Sequence, residues 1–267
     1  MGNLSSRPRQ SIRFWEIDFT RGIAVVMMVI YHVYFDISHF GSYSGFDLCW
    51  LGRITGILFI SLVGLCLTLS YSRAEKKGEA NFLKYAKRGV KIFSIGLLIS
   101  LATWVLFPKR FIVFGILHFI GISVILGYFF VKRSALTLPL GIVTIFLGWC
   151  LSGFGSEWGW GGARFDFPWL LWLGAVPRGF RTFDYYPLLP YFGFVLIGIY
   201  LGNLLYPGCK RRFALPEISN RFVAAVCWLG RNSLKIYLTH QPLIVSILML
   251  LGLIDARALG SLRFLLN

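Results

Sequence analysis

Four ionisable side chains stand in one apolar stretch near the start of the chain, where their types and spacing could support chemistry. Asp18, Arg21, His32 and Asp36 all lie within residues 17–38. On a helix, which advances about 100° per residue, they fall within an arc of roughly 60°. Ionisable residues inside a membrane span are costly and usually mark function. We therefore predict that this face does chemistry or conducts a substrate, rather than only locking helices together.

The spacings within this stripe suggest particular roles. Asp18 and Arg21 are three residues apart and can pair. Asp36 follows His32 by four residues, so its carboxylate could fix the imidazole tautomer and leave the other nitrogen as a base. Arg21 and His32 are about 16 Å apart along a helix, so a long substrate could be anionic at one and reactive at the other. His39, just beyond the stretch, is a second candidate base.

Further polar residues interrupt other apolar runs. Arg53 enters the second run from its N-terminal side, and His118 and His240 lie in two later runs. A lone histidine inside a membrane as often bonds a neighbouring helix as it reacts. We rank His118 slightly ahead of His240 as a functional candidate.

Composition identifies the environment that must hold these side chains. Hydrophobic residues make up 57% of the 267 and charged residues 14%, with a mean hydropathy of +0.69. Soluble domains have about a quarter charged residues, so a soluble protein is excluded. The formal charge of +16 would suggest nucleic acid in a soluble chain, but membrane proteins accumulate basic residues in cytoplasmic loops. We expect no nucleic-acid partner, and the five cysteines have no metal-ligand spacing.

The apolar runs are long enough to cross a hydrocarbon core of about 30 Å as helices. The sequence predicts an all-α, polytopic bundle of about seven transmembrane helices in the lipid bilayer. A segment of residues 1–16 precedes a single transmembrane domain of residues 17–254, and residues 255–267 form a tail. The predicted spans are residues 17–38, 49–71, 92–107, 111–131, 134–153, 187–205 and 233–254.

Two basic or aromatic segments lie outside these spans. Residues 72–91 could lie along the inner surface as an amphipathic segment. Residues 222–228 could form a re-entrant or interfacial turn.

The distribution of Lys and Arg predicts the orientation. With the N-terminus in the cytoplasm, sixteen lie in inner segments and seven in outer segments, the sense of the positive-inside rule. We expect a multi-pass protein of the cell membrane. The inner segments are residues 1–16, 72–91, 132–133 and 206–221, and the outer ones are 108–110, 154–186 and 255–267.

Three stretches, residues 16–24, 183–191 and 229–242, resemble the heparan-alpha-glucosaminide N-acetyltransferase catalytic-domain family, and the resemblance covers residues 13–243. The eleven-residue step from Arg21 to His32 also resembles the first-helix motif of the wider acyltransferase-3 type. The cytoplasmic Arg-x-x-Arg of that type is represented by Arg88-Gly89-Val90-Lys91. Lysine at the second place keeps the charge but not the bidentate fork.

The resemblance implies acyl transfer from a cytoplasmic acyl-CoA, typically acetyl-CoA, to a sugar hydroxyl or amine, or to another small acceptor, with no metal. It implies that Asp184 helps to position the acceptor. The two relatives differ over the reactive histidine, which is nearest His39 in the heparan enzyme and His32 in the acyltransferase-3 type. We favour His32, because Asp36 is spaced to orient it. The residues implied for the CoA phosphates are Arg21, Lys87, Arg88 and Lys91.

A transporter or flippase that uses the polar stripe as a proton or substrate path is the alternative from another class. The sequence shows neither repeated halves nor paired broken helices, the features that would favour a transporter. A scaffold that has kept the fold is a third option. The oligomeric state stays open, with a homo-oligomer among the options.

Overall fold

The computed structural model describes residues 13–41, 48–152, 168–176, 180–218 and 220–254. Within these ranges the chain forms eight α-helices, and all except α4 and α7 are long and apolar enough to cross a membrane. The predicted all-α membrane bundle is confirmed. The helices are α1 Trp15–Phe40, α2 Cys49–Glu75, α3 Phe82–Leu106, α4 Ile116–Gly127, α5 Ser134–Ser152, α6 Leu188–Leu205, α7 Arg221–Arg231 and α8 Ser233–Leu250.

Residues 72–91 do not form one separate amphipathic segment, because they are divided between the end of α2, a turn and the start of α3. Helix α2 continues to Glu75, and α3 begins ten residues before the predicted start of its span. The side chain of Asn81 caps α3 by accepting the backbone N–H of Lys84 at 2.9 Å. The basic residues that follow continue the helix, because Lys and Arg are good helix formers. Both helices therefore extend their apolar spans with basic ends.

The predicted span at residues 111–131 is helical only in its middle. Helix α4 has 12 residues, about 18 Å of rise, which is less than a bilayer core requires. The flanking residues still follow α3 along its length. Ile112 is bonded to Thr103 near the end of α3, and the ring of Tyr128 contacts that of Phe82 at its start, with centroids 5.5 Å apart.

The residues before α4 are extended because they pair with a second segment. Phe114 forms a parallel bridge with Tyr185, and its carbonyl accepts the N–H of Tyr186 at 2.9 Å. Backbone groups within the bundle must find partners inside the protein. This pairing satisfies them where the helix has not yet begun.

Residues 222–228 belong to a helix, α7, rather than a turn. It packs very closely on the first turns of α1, through a glycine on each side. A Cβ atom at Gly22 would run into the carbonyl of Val226, and one at Gly230 into the carbonyl of Asp18. The contact is therefore possible only with small residues at these two positions.

Helix α2 lies in the middle of the bundle and packs against α1, α4 and α6, while α5 packs on α6, α3 on α4, and α7 and α8 on α1. We name the end at which α1 begins the basic end. It also contains the end of α2, the start of α3 and α7. The distal end contains the end of α1, the start of α2, the end of α3 and the segment before α6.

Candidate active site

A pocket of about 460 Å³ opens at the basic end. Its lining carries seven cationic side chains and two acidic ones, which gives 7 − 2 = +5. Such an excess of positive charge suits a ligand with several negative charges, because charge-assisted hydrogen bonds to phosphate are strong. The cations are Arg13, Arg21, Arg73, Lys77, Lys84, Arg88 and Arg231, and the acids are Asp18 and Glu79.

Four separate parts of the fold hold these charges in place. They are the start of α1, the end of α2 with the turn that follows, the start of α3, and the last residue of α7. Arg21 is held by Asp18 at 3.4 Å and by the thiol of Cys66 at 2.7 Å. Lys84 is paired with Glu79 at 3.2 Å.

The sequence prediction for this pocket is partly reproduced. Arg21 and Arg88 line it. Lys87 and Lys91 are exposed on α3 and do not line it. The residues missed were Arg13, Arg73, Lys77, Lys84 and Arg231. All but Arg231 lie in segments predicted as basic and cytoplasmic, but that pattern could not indicate which side chains share one cavity.

Two histidines meet in the interior of the bundle. The rings of His32 on α1 and His240 on α8 have centroids 4.7 Å apart. Nδ1 of His240 lies 2.6 Å from the carbonyl oxygen of Tyr237, so this nitrogen carries a proton and Nε2 offers a lone pair. Nδ1 of His32 and Nε2 of His240 are buried, and neither has a partner among the described residues.

Asp36 does not orient His32. Its carboxylate is fully buried and accepts the side-chain amide of Gln241 at 2.8 and 3.0 Å. Asp36 is therefore bonded across the contact between α1 and α8, whereas the sequence predicted a bond to His32 within α1. His240 comes to the site beside His32, whereas the sequence ranked it below His118.

His118 lies elsewhere, in the contact between α3 and α4. It is 2% exposed, and its Nδ1 accepts the backbone N–H of Gly115 at 3.2 Å at the start of α4. The ring also packs against Phe93 and Phe114. Its contacts are those of a side chain that fixes the start of a short helix.

His39 lies at the distal end of α1, in contact with a cation. The guanidinium of Arg110 lies 2.8 Å from its Nε2. Since arginine can only donate, this nitrogen is unprotonated and the ring proton sits on Nδ1. The ring stacks on Phe35 at 5.3 Å and also contacts Phe183.

An aromatic row connects this end to the two histidines. Tyr31, Phe35 and His39 follow one another at four-residue steps on one face of α1, and neighbouring centroids are 6.1 and 5.3 Å apart. Tyr31 also contacts the ring of His32 at 5.3 Å. Tyr186 lies beside this row and packs on α2 at Gly56, where a Cβ atom would meet its hydroxyl.

A family comparison bears on the same residues. The family model for the catalytic domain of heparan-alpha-glucosaminide N-acetyltransferase matches residues 13–242. The chain belongs to this family. No curated protein and no solved structure matches it.

Membership of the heparan-alpha-glucosaminide N-acetyltransferase family implies acetyltransferase activity, and the apolar helices fit an integral membrane protein. The match begins at the first pocket residue, Arg13, and ends two residues after His240. The pocket and the histidine pair therefore both lie within the region that defines the family. In the described part of the chain, no three metal-binding side chains come together.

Asp184, predicted to position an acceptor, is bonded to the start of α4. Its Oδ2 accepts the backbone N–H of Ile116 at 2.9 Å, an arrangement that satisfies a free donor and complements the helix dipole. Burial raises the pKa of this carboxyl to about 6, although backbone N–H groups of Ile116 and Tyr185 act in the opposite direction. Asp184 thus caps the start of α4 in this chain.

Proposed function

We propose that this chain transfers an acyl group, acetyl in the first instance, from cytoplasmic acyl-CoA to a hydroxyl or amine of a sugar or small molecule at or across the membrane. The observation that carries the proposal is the cationic pocket at the basic end. The phosphates of CoA carry several negative charges, and a lining with a net charge of +5 is complementary to them. The bias of basic residues supports a cytoplasmic position for this end.

The first helix supports the connection from this pocket to the reacting group. Arg21 lines the pocket, and His32 lies eleven residues further along α1, about 16 Å away. The donor needs a long flexible arm between its phosphates and its thioester, and CoA has one. The phosphates would lie at the basic end and the thioester beside the histidine pair.

The histidine pair supports the chemistry. His32 removes the proton of the acceptor hydroxyl or amine, or carries the acyl group itself, and both roles need a nitrogen that is free of other bonds. When the acceptor attacks the thioester carbonyl, the carbon–sulfur bond breaks and CoA leaves as a thiolate. The thiolate then takes up the proton that His32 has removed from the acceptor. Nε2 of His240, which is unpartnered and lies beside His32, is placed to relay that proton by accepting it from His32 and passing it on.

The first test is a titration of acetyl-CoA into the purified full-length protein in detergent. Arg88→Ala removes a pocket cation and should weaken binding about tenfold, because a charge-assisted bond is lost. Lys87→Ala is the matched control, since this lysine is the preceding residue and does not line the pocket. It should bind acetyl-CoA as the wild type does. His32→Ala should bind normally and transfer about 10²- to 10⁴-fold more slowly.

Two outcomes would reject the donor assignment. One is no binding at millimolar acetyl-CoA. The other is equal weakening by Arg88→Ala and Lys87→Ala, which would mean that the ligand responds to diffuse charge and not to the pocket. The polar stripe of α1 would then be better explained as a transport path.

A further inference from the structure

Two lysines of α3 lie outside the pocket, on the side of the helix that faces lipid. Lys87 and Lys91 are exposed, and at about 100° per residue they share an arc of about 40° with Leu98 and Val105. Leu98 is 65% exposed and Val105 is 56% exposed, so this face of α3 is not covered by another described helix. In a bilayer it contacts the acyl chains.

The depth of the two lysines places them near one boundary of the hydrocarbon core. Helix α3 ends at Leu106, and Lys109 and Arg110 follow, which marks the opposite boundary. At 1.5 Å per residue, Lys91 is about 22 Å and Lys87 about 28 Å from Leu106, against a core about 30 Å thick. Lysines at such a depth extend their ammonium groups towards the headgroups. Both ammonium groups can therefore reach the phosphate layer of the leaflet at the basic end.

No acidic side chain in the described ranges neutralises this pair of lysines. The acid nearest to them in sequence, Glu79, is paired with Lys84 at 3.2 Å. None of the five ion pairs between described residues includes Lys87 or Lys91. Like charges four residues apart on a helix repel each other. An anion that lay between them would remove the repulsion and bond to both.

Other cations within the helices have different surroundings. Lys84 and Arg88 lie on the side of α3 that lines the pocket. Arg53, the cation within α2, is half-buried at the distal end. Lys87 and Lys91 share neither position, so an anion that reaches both of them comes from the membrane and not from the pocket.

We propose that Lys87 and Lys91 bind the headgroup of an anionic phospholipid from the leaflet at the basic end, with the acyl chains along Leu98 and Val105. The lipid phosphate lies between the two ammonium groups. Each basic side chain near the membrane surface raises the affinity for anionic lipid about fivefold. A zwitterionic lipid gains less, because its own positive charge is repelled by the lysines. This inference does not depend on the proposed acyl transfer.

Native mass spectrometry of the purified full-length protein in detergent tests this site, because it resolves each bound lipid and gives the affinity of the first. The probes are palmitoyl-oleoyl phosphatidylglycerol, which is anionic, and the corresponding phosphatidylcholine, which is zwitterionic. The wild type should bind phosphatidylglycerol about twentyfold more tightly. Lys87→Gln and Lys91→Gln should each lower this affinity about fivefold, and the double variant should lose the preference. Phosphatidylcholine binding should not change.

Lys84→Gln is the matched control. It removes one charge from the same part of α3 but on the pocket side, so it should keep the preference. Equal weakening by Lys84→Gln and Lys87→Gln would mean that the lipid responds to diffuse charge. Weakening by Lys84→Gln alone would mean that the lipid binds in the pocket. Either result overturns the proposal, as does a wild type without a preference.

Two further measurements address the charge and the acyl chains separately. The double variant Lys87→Arg with Lys91→Arg keeps both charges and should keep the preference, which provides a test should the Gln variants fail to fold. A loss of preference in this variant overturns the proposal. Glycerol phosphate at millimolar concentration should not displace the lipid, because it lacks the acyl chains that contact the apolar face. Displacement would mean that the lysines bind a soluble anion instead of a lipid.

Discussion

The carboxyl of Asp184 should make stability depend on pH in a direction opposite to that of most carboxylates. Its pKa is raised from 3.8 to about 6 in the folded protein. Folding therefore takes up a proton between these two pH values. The contribution of Asp184 to stability is complete below about pH 4 and is lost as the pH rises through 6. A difference of about two pKa units corresponds to about 3 kcal/mol.

Asp184→Asn isolates this effect. Asparagine keeps an oxygen that can accept the N–H of Ile116, and it has no charge at any pH. We expect the two proteins to be equally stable near pH 4, and the Asn variant to be more stable above pH 6.5 by up to about 3 kcal/mol. Thermal unfolding in mild detergent, recorded for both proteins from pH 4 to 8, gives the difference. Other titrating groups are common to both and cancel.

Asp184→Ala provides the control for the hydrogen bond. It removes the charge and the capping oxygen together, so it should be less stable than Asp184→Asn by about 1 kcal/mol at every pH. A difference between wild type and Asn variant that does not change with pH would refute the titration argument. Equal stability of the Ala and Asn variants would refute the capping argument.

Three further predictions concern contacts between helices. Gly230→Ala should lower the thermal midpoint, at a cost of about 1–3 kcal/mol, because the new Cβ would push α7 off α1. Ala225→Ser, on the exposed face of α7, is the control, and equal midpoints of the two variants would contradict the close packing. Gln241→Ala should lower the free energy of unfolding by about 1–3 kcal/mol, since buried Asp36 loses its partner. The double variant with Asp36→Leu should recover part of this loss, and no recovery would mean that the bond is not what stabilises the contact. Arg211→Met removes the ion pair with Glu16, whose N···O distances are 2.7 and 2.8 Å, and should lower the free energy of unfolding by about 1 kcal/mol at low salt and less at high salt. Thermal unfolding at two salt concentrations measures the effect, and an effect independent of salt would indicate lost packing instead.

The helices themselves could be predicted because each apolar run reflects a local requirement. A run that crosses a bilayer must satisfy its own backbone, and that constraint acts on consecutive residues. The start of α3 was missed for the same reason. Its first turns are basic, and a hydropathy criterion ends where charge begins, whereas the helix continues to its cap at Asn81. The short α4 depends on Tyr185 and Asp184, which are remote in sequence.

The site was predictable only as far as single helices determine it. The stripe on α1 placed Arg21 and His32 correctly relative to one another, because helix geometry relates them. The partner of Asp36 could not be read in this way. A residue four positions away is always within reach on a helix, but Gln241 on α8 forms the bond instead. The meeting of His32 and His240 likewise depends on how two helices pack, and no local pattern records it.

The composition of the basic pocket has a consequence for biosynthesis. In sequence order, the first of its cations is Arg13 and the last is Arg231. The cavity therefore cannot be complete until α7 has been made and has docked on α1. Insertion of the first six helices would leave a partial ring of positive charge. A chain that ends before α7 should therefore bind the ligand of this pocket more weakly than the whole chain.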